Sequence, residues 1–342
     1  MQQLTGSLFL FIILLNCYNV KAQQHNLPVA AAIEINTGLT TPQYEFSALA
    51  KWKNKVLLIP QNRRTVIDSV FMIDNDEIDN AMRENVAAAH SVFAIKNLKH
   101  TGLRKDSLYI NNILLPKYDG IEAAVVKQDT IFFSLETDTS FCYIIKGVIN
   151  EAAKSINILP DTLHVPNTYP INNAGFESLA YLQGKDSLIA FFECNKDTVN
   201  ARSFMLNTSL QSGVTPVKWH APLYFRLTDV YALNDSQLIG INHLFISKSF
   251  RSERDDYVKD VDLDTVKNQL TNGGNIDTCY TQLVALFLKN DILNWLPFVF
   301  VSLDCAGNYE GIVSFNEGVL IIVDGEPGDN LCKLVYLRLK ND

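Results

Sequence analysis

Cysteine pairs at metal-binding spacing, glycine-rich phosphate loops and long apolar segments are all missing from this sequence. Its six cysteines are widely scattered, with no CxxC and no Cys/His spacing that suits zinc. No GxSxG elbow, P-loop or GxGxxG occurs, which argues against serine hydrolases of that type and against nucleotide binders. Beyond an N-terminal run the apolar stretches are only strand-length, so no transmembrane helix is expected. Positive charge is also short: 29 Lys and Arg stand against 37 Asp and Glu, a net charge of −8. Nucleic acid and anionic membrane surfaces are poor partners for such a chain, whose field favours cations.

What is present is a globular composition, 47% hydrophobic over 342 residues, enough for a large core. Leu8 to Leu15 reads LFLFIILL, too short to cross a bilayer, and Val20-Lys21-Ala22 stands before Gln23. This pattern predicts a signal peptide over residues 1–22 and a mature domain over 23–342, exported to the periplasm or secreted. The alternative is a lipoprotein anchored through Cys17, against which Asn16 is the wrong neighbour. Cleavage removes Lys21 and brings the net charge to −9. Five cysteines then remain, an odd set that makes no disulfide framework, and Cys142 and Cys332 sit in apolar runs as small buried hydrophobes.

One pattern repeats: an acidic residue, an apolar strand, a polar turn, a second apolar strand, and a polar or acidic residue at its end. Glu45 opens EFSALA, followed by VLLIPQN from Val56; Glu122 opens EAAVV, followed by IFFSLE from Ile131. Glu177 opens ESLAYL before LIAFFE, Asp229 opens DVYAL before LIGINH, and Glu310 opens EGIVSF before VLIIVD. The turns between them are rich in hairpin-forming residues, and further strand material follows each pair. Four-stranded units repeated around an axis make a β-propeller. Successive acidic residues are 77, 55, 52 and 81 apart. The two long intervals hold inserts, a helix-like one at 76–89 and a polar one at 247–278, both read as surfaces for a protein partner. The expected fold is therefore all-β, a single propeller with five blades favoured. Six blades is the alternative, if one long interval hides a degenerate blade. The strand AAIEIN at 31–36 is expected to pair with the C-terminal blade and close the ring.

In such a blade the start of the first strand and the end of the second lie on one face. That geometry is expected to bring Glu45, Glu122, Glu177, Asp229 and Glu310 together with Gln61 or Asn62, Glu136, Glu193, Asn242 or His243, and Asp324, with Glu326 close behind, at one channel mouth. So many carboxylates need compensation, and hard oxygen ligands on several strands suit Ca²⁺. The expected metal set is Glu45, Glu122, Glu136, Glu177, Asp229, Glu310 and Asp324. Any one of these carboxylates also has a plain scaffold reading, accepting hydrogen bonds from a neighbouring turn. Arg63, Arg64, Arg226 and His243 are the candidates for substrate binding, with Glu177 or Glu193 orienting an attacking water.

The segments AGFESLAYLQGKDSLIAFFE, NYEGIVSFNEGVLIIVDG and DGIEAAVVKQDTIFFSLE resemble the blades of the esterase-like, phytase-associated propeller family. The likeness covers most of the mature chain. It departs from the pattern where the glycine after the acidic residue is replaced, surviving only as Gly311. The resemblance implies calcium and the hydrolysis of phosphoesters or esters. The rival expectation is a non-enzymatic propeller that binds a small ligand, a sugar or a protein partner.

Overall fold

The computed structural model describes residues 32–37, 39, 45–61, 69–100, 107–111, 113–116, 118–137, 141–166, 175–195, 203–211, 213–223, 225–245, 279–300, 307–325 and 332–338. The fold is all-β, as expected. Its first unit runs β2 (Phe46–Trp52), β3 (Lys55–Pro60), β4 (Ser69–Asp74) and β5 (His90–Lys96), each antiparallel to the one before. The second unit is β9 (Tyr118–Lys127), β10 (Thr130–Thr137), β11 (Phe141–Asn150) and β12 (Ser155–Pro166). The third is β13 (Ser178–Leu182), β14 (Ser187–Phe191), β15 (Ser203–Asn207) and β16 (Thr215–Trp219). The fourth is β17 (Arg226–Ala232), β18 (Gln237–Phe245), β19 (Cys279–Lys289) and β20 (Ile292–Phe300). In the fifth, β21 (Gly307–Phe315), β22 (Gly318–Gly325) and β23 (Lys333–Arg338) take β1 (Ala32–Asn36) as their fourth strand. The pairing of β1 with β23 is the one expected from the sequence.

These units follow from local chemistry. Their strands are rich in Val, Ile, Leu and Phe, and the tight turns place Lys53, Gln128, Asp186 and Asn316 at positive φ, which turns of the hairpin type require. Neighbouring units are glued by separate apolar clusters. One joins units one and two through Ala48, Leu57, Ile121 and Phe133, another units two and three through Phe132, Phe176 and Leu188. Leu182, Phe191, Val230 and Leu286 join units three and four, and Ile241, Leu283, Ile312 and Ile321 join four and five. Leu49, Leu58, Leu320 and Ile322 join the fifth unit back to the first. The first strands touch in the same cyclic order, β2 to β9, β13, β17, β21 and again β2.

Two features lie between the units, one expected and one not. The insert expected at 76–89 contains helix α1 (Asn75–Glu84), whose Asp76 and Glu77 at the start and Arg83 at the end suit the helix dipole. It ends on Asn85 in the left-handed conformation, whose N–H reaches the Ala81 carbonyl at 2.9 Å. Its Ile78 and Ala81 are buried with Ile35 of β1 and Ile73 of β4, so this stripe of the insert covers the seam between units five and one. A further three-stranded sheet that the repeat did not foretell is formed by β6 (Leu98–His100), β7 (Ser107–Ile110) and β8 (Ile113–Pro116). Leu98, Leu108, Ile110 and Leu115 sink into the core between units one and two. The polar insert at 247–278 and the expected signal segment lie outside the described residues. Among the described residues no helix is long and apolar enough to cross a membrane.

Candidate functional site

The pairing registers of the units correspond through a bulge near the start of each first strand. In β2 pairing skips Ser47, in β9 Glu122, in β17 Thr228 and in β21 Glu310. In the third unit Ser178 pairs with Phe191, while the Glu193 N–H bonds to the Gly175 carbonyl at 3.0 Å, so Glu177 is the extra residue. The bulged set is thus Ser47, Glu122, Glu177, Thr228 and Glu310. Across from it the second strands close on Gln61, Glu136, Glu193, His243 and Asp324. A bulge inserts one unpaired residue and re-aims its side chain, which is why these positions share one rim.

This register corrects two expected members of the acidic ring. Glu45 lies two residues before the bulge and is exposed, contributing only its carbonyl, which accepts the Gln61 N–H at 2.6 Å. Asp229 lies one residue after it, and a shift of one residue turns a strand side chain to the other face. Buried there, its Oδ1 accepts the Val230 N–H and its Oδ2 the Ile312 N–H, each at 2.8 Å, and the Leu49 amide also bonds to it. Burial pushes this carboxyl well above the usual carboxylate range, against the pull of those three amides. Asp229 therefore ties the first strands of units four, five and one together.

Hydroxyls at or beside the bulged positions do the same between neighbours. Ser47 Oγ donates to the Ile121 carbonyl at 2.6 Å and Thr228 Oγ1 to the Tyr309 carbonyl at 2.5 Å. Ser178 Oγ reaches the Leu227 carbonyl at 3.2 Å, and Ser134 Oγ the Phe176 carbonyl at 2.8 Å. These links went unnoticed in the sequence because small hydroxyl residues carry no conspicuous signal.

The remaining carboxylates are buried at the rim: Glu122, Glu136, Glu177, Glu193 and Glu310. Both oxygens of Glu122 accept from Gln61 Nε2, at 2.7 and 2.8 Å. Arg226, expected to meet substrate, instead bridges the third unit's pair. Its Nη2 donates to Glu177 Oε1 at 2.7 Å and Oε2 at 2.5 Å, and its Nε donates to Glu193 Oε2. Burial works against the guanidinium charge, but Glu177, Glu193 and Glu310 outweigh it and hold Arg226 well above its already high range. Glu310 also accepts a hydrogen bond from Asn308 Nδ2. His243 is fully buried, its Nδ1 2.7 Å from Thr281 Oγ1 and its ring beside Tyr309. Arg63 and Arg64, and the side chain of Asp324, lie outside the described residues.

Calcium can be tested against this geometry. Among the described residues no three His, Cys, Asp or Glu side chains are grouped to hold a metal ion. Glu122 and Glu177 each have both oxygens engaged by nitrogen donors, and Glu45 and Asp229 stand apart from the rim. The described side chains do not fit a calcium cage.

No family model matches the chain, and no curated protein does. Similar solved structures include a GH43 β-xylosidase/α-arabinofuranosidase from a compost microbial metagenome, solved with xylotriose in a calcium-free form. It has a TM-score of 0.48 at 9% identity, over 92% of this chain and 96% of that one. A glycosyl hydrolase from Bacteroides ovatus gives 0.45 at 6% identity, covering 94% and 95% of the two chains. A gluconolactonase from Xanthomonas campestris gives 0.42 at 8%, covering 91% and 90%. Likeness this distant leaves the chemistry to the chain's own residues.

Proposed function

We propose that the chain is a closed five-bladed β-propeller, exported, that hydrolyses a neutral, hydroxyl-rich substrate at its acidic rim. The cyclic order of contacts between first strands and the pairing of β1 with β23 support the closed ring. The LFLFIILL run before Ala22 supports export. One observation carries the functional reading. At the bulged and closing positions where other units hold Glu, the first unit holds Ser47 and Gln61 and the fourth Thr228 and His243. The scaffold accepts uncharged side chains there, so the buried carboxylates, costly to desolvate, are retained for a ligand.

In this reading Glu177 and Glu193 are the reacting carboxylates, kept ionised by Arg226. Glu310, buried at the same rim, is assigned the proton-donor role. Paired carboxylates are what glycosidic cleavage uses, so glycosides are the first class to try. The net negative rim repels phosphoesters, and the Arg226 charge is already committed to two glutamates.

The test is release of p-nitrophenol from glycosides, phosphate and acetate by purified protein, with added calcium or with chelator. Turnover of a glycoside that falls about 10²–10⁴-fold in Glu193→Gln and Glu177→Gln is the expected outcome. Hydrolysis of the phosphate ester alone, rising with calcium, would restore the phytase-like expectation. No turnover on any substrate favours the second reading, a binding module. That reading has its own support in Glu122 and Glu177, whose oxygens are already engaged by nitrogen donors.

A further inference from the structure

We infer that Arg226 is a positioning residue of the proposed hydrolysis, clamping Glu177 and Glu193 into one rigid pair across the seam between units three and four. The inference rests on the hydrolase reading of the rim. Arg226 opens β17, yet its guanidinium engages the bulged and the closing carboxylate of the neighbouring unit at once. The two side chains it binds are almost wholly buried, with 8% and 2% of their surface exposed. A planar fork with several fixed donors can orient two carboxylates together in a way that a lysine point charge cannot.

The arginine is itself held from behind. Asn242 Nδ2 donates to the Arg226 carbonyl at 3.2 Å, and Gln282 Nε2 donates to Asn242 Oδ1, also at 3.2 Å. Asn242 and Gln282 are buried in unit four, on β18 and β19. The Leu227 N–H bonds to the Glu193 carbonyl at 2.8 Å, which joins the backbone of the arginine's strand to that of the carboxylate. The alternation of units makes the arrangement specific. At the place Arg226 occupies opposite His243, the second and third units carry Gly120 and Gly175, opposite Glu136 and Glu193. The fork is therefore a feature of one seam and not of the repeat.

The experiment compares wild type, Arg226→Lys and Arg226→Ala on the substrate that wild type turns over, with and without methylguanidine. Loss of orientation is expected to lower kcat about 10²-fold in Arg226→Ala, with KM held within about threefold. Arg226→Lys, which keeps the charge and loses the fork, should remain close to the alanine variant. Methylguanidine should recover a large part of kcat in Arg226→Ala and none in wild type. Equal kcat in Arg226→Ala and wild type overturns the inference and leaves the hydrolase reading standing. So does a kcat loss that methylguanidine leaves unchanged while raising the melting temperature of that variant, since the pair is then held without being positioned for reaction. Wild type without turnover on any substrate overturns the hydrolase reading, and the positioning role with it.

Discussion

Removing the Asp229 carboxylate tests how the first strands of units four, five and one are held together. In Asp229→Ala the amides of Val230, Ile312 and Leu49 lose their common acceptor inside a dry interior. Each such orphaned donor costs about 1–3 kcal/mol. Relief of the buried charge works the other way, and water entering the vacated space softens the loss. The net expectation is a fall of about 2–4 kcal/mol, a large share of a typical domain's stability. Urea unfolding of both proteins reads it as a shift of midpoint at unchanged slope. The pH dependence supplies an independent sign. Because the folded-state carboxyl is pushed up, its protonation favours the fold. That contribution is fully present below the unfolded value of about 3.9 and is lost as pH rises through the higher folded value. The stability advantage of wild type over Asp229→Asn should thus shrink as pH rises from acid toward neutral. A variant within about 0.5 kcal/mol of wild type, the usual range for surface changes, would refute the three-amide argument. An advantage that grows with pH would refute the account of the charge.

Two further substitutions probe the seam between units five and one. A Cβ at Gly311 would stand 2.5 Å from the Leu49 nitrogen and 2.8 Å from the Ala48 carbonyl carbon, both backbone atoms that cannot swing away. Gly311→Ala should lower stability by about 1–3 kcal/mol, measured by the same urea titration, and a neutral result would mean that the two first strands separate freely. Ile78→Ala, in the helix that covers this seam, removes a fully buried side chain and should cost about 2–5 kcal/mol. A helix serving only as a partner surface would tolerate that change with an unaltered melting temperature.

The sequence alone determined the all-β class, the paired strands of each unit and the use of an N-terminal strand by the C-terminal unit. Those features rest on strand-length apolar runs, buried almost continuously, and on turn residues, which act between neighbours in the chain. It also placed Glu122, Glu136, Glu177, Glu193 and Glu310 at corresponding positions. Only the tertiary structure decided which acidic residues belong to the rim. Thr228 takes the bulge and Asp229 follows it, and that single step moves a carboxylate from the rim to a knot of backbone amides. Nor could spacing reveal that Arg226 spends its charge on Glu177 and Glu193, because the three come from two units and meet only when the seam closes. Register and neighbour identity are properties of strands packed against one another, and local sequence pattern does not encode them.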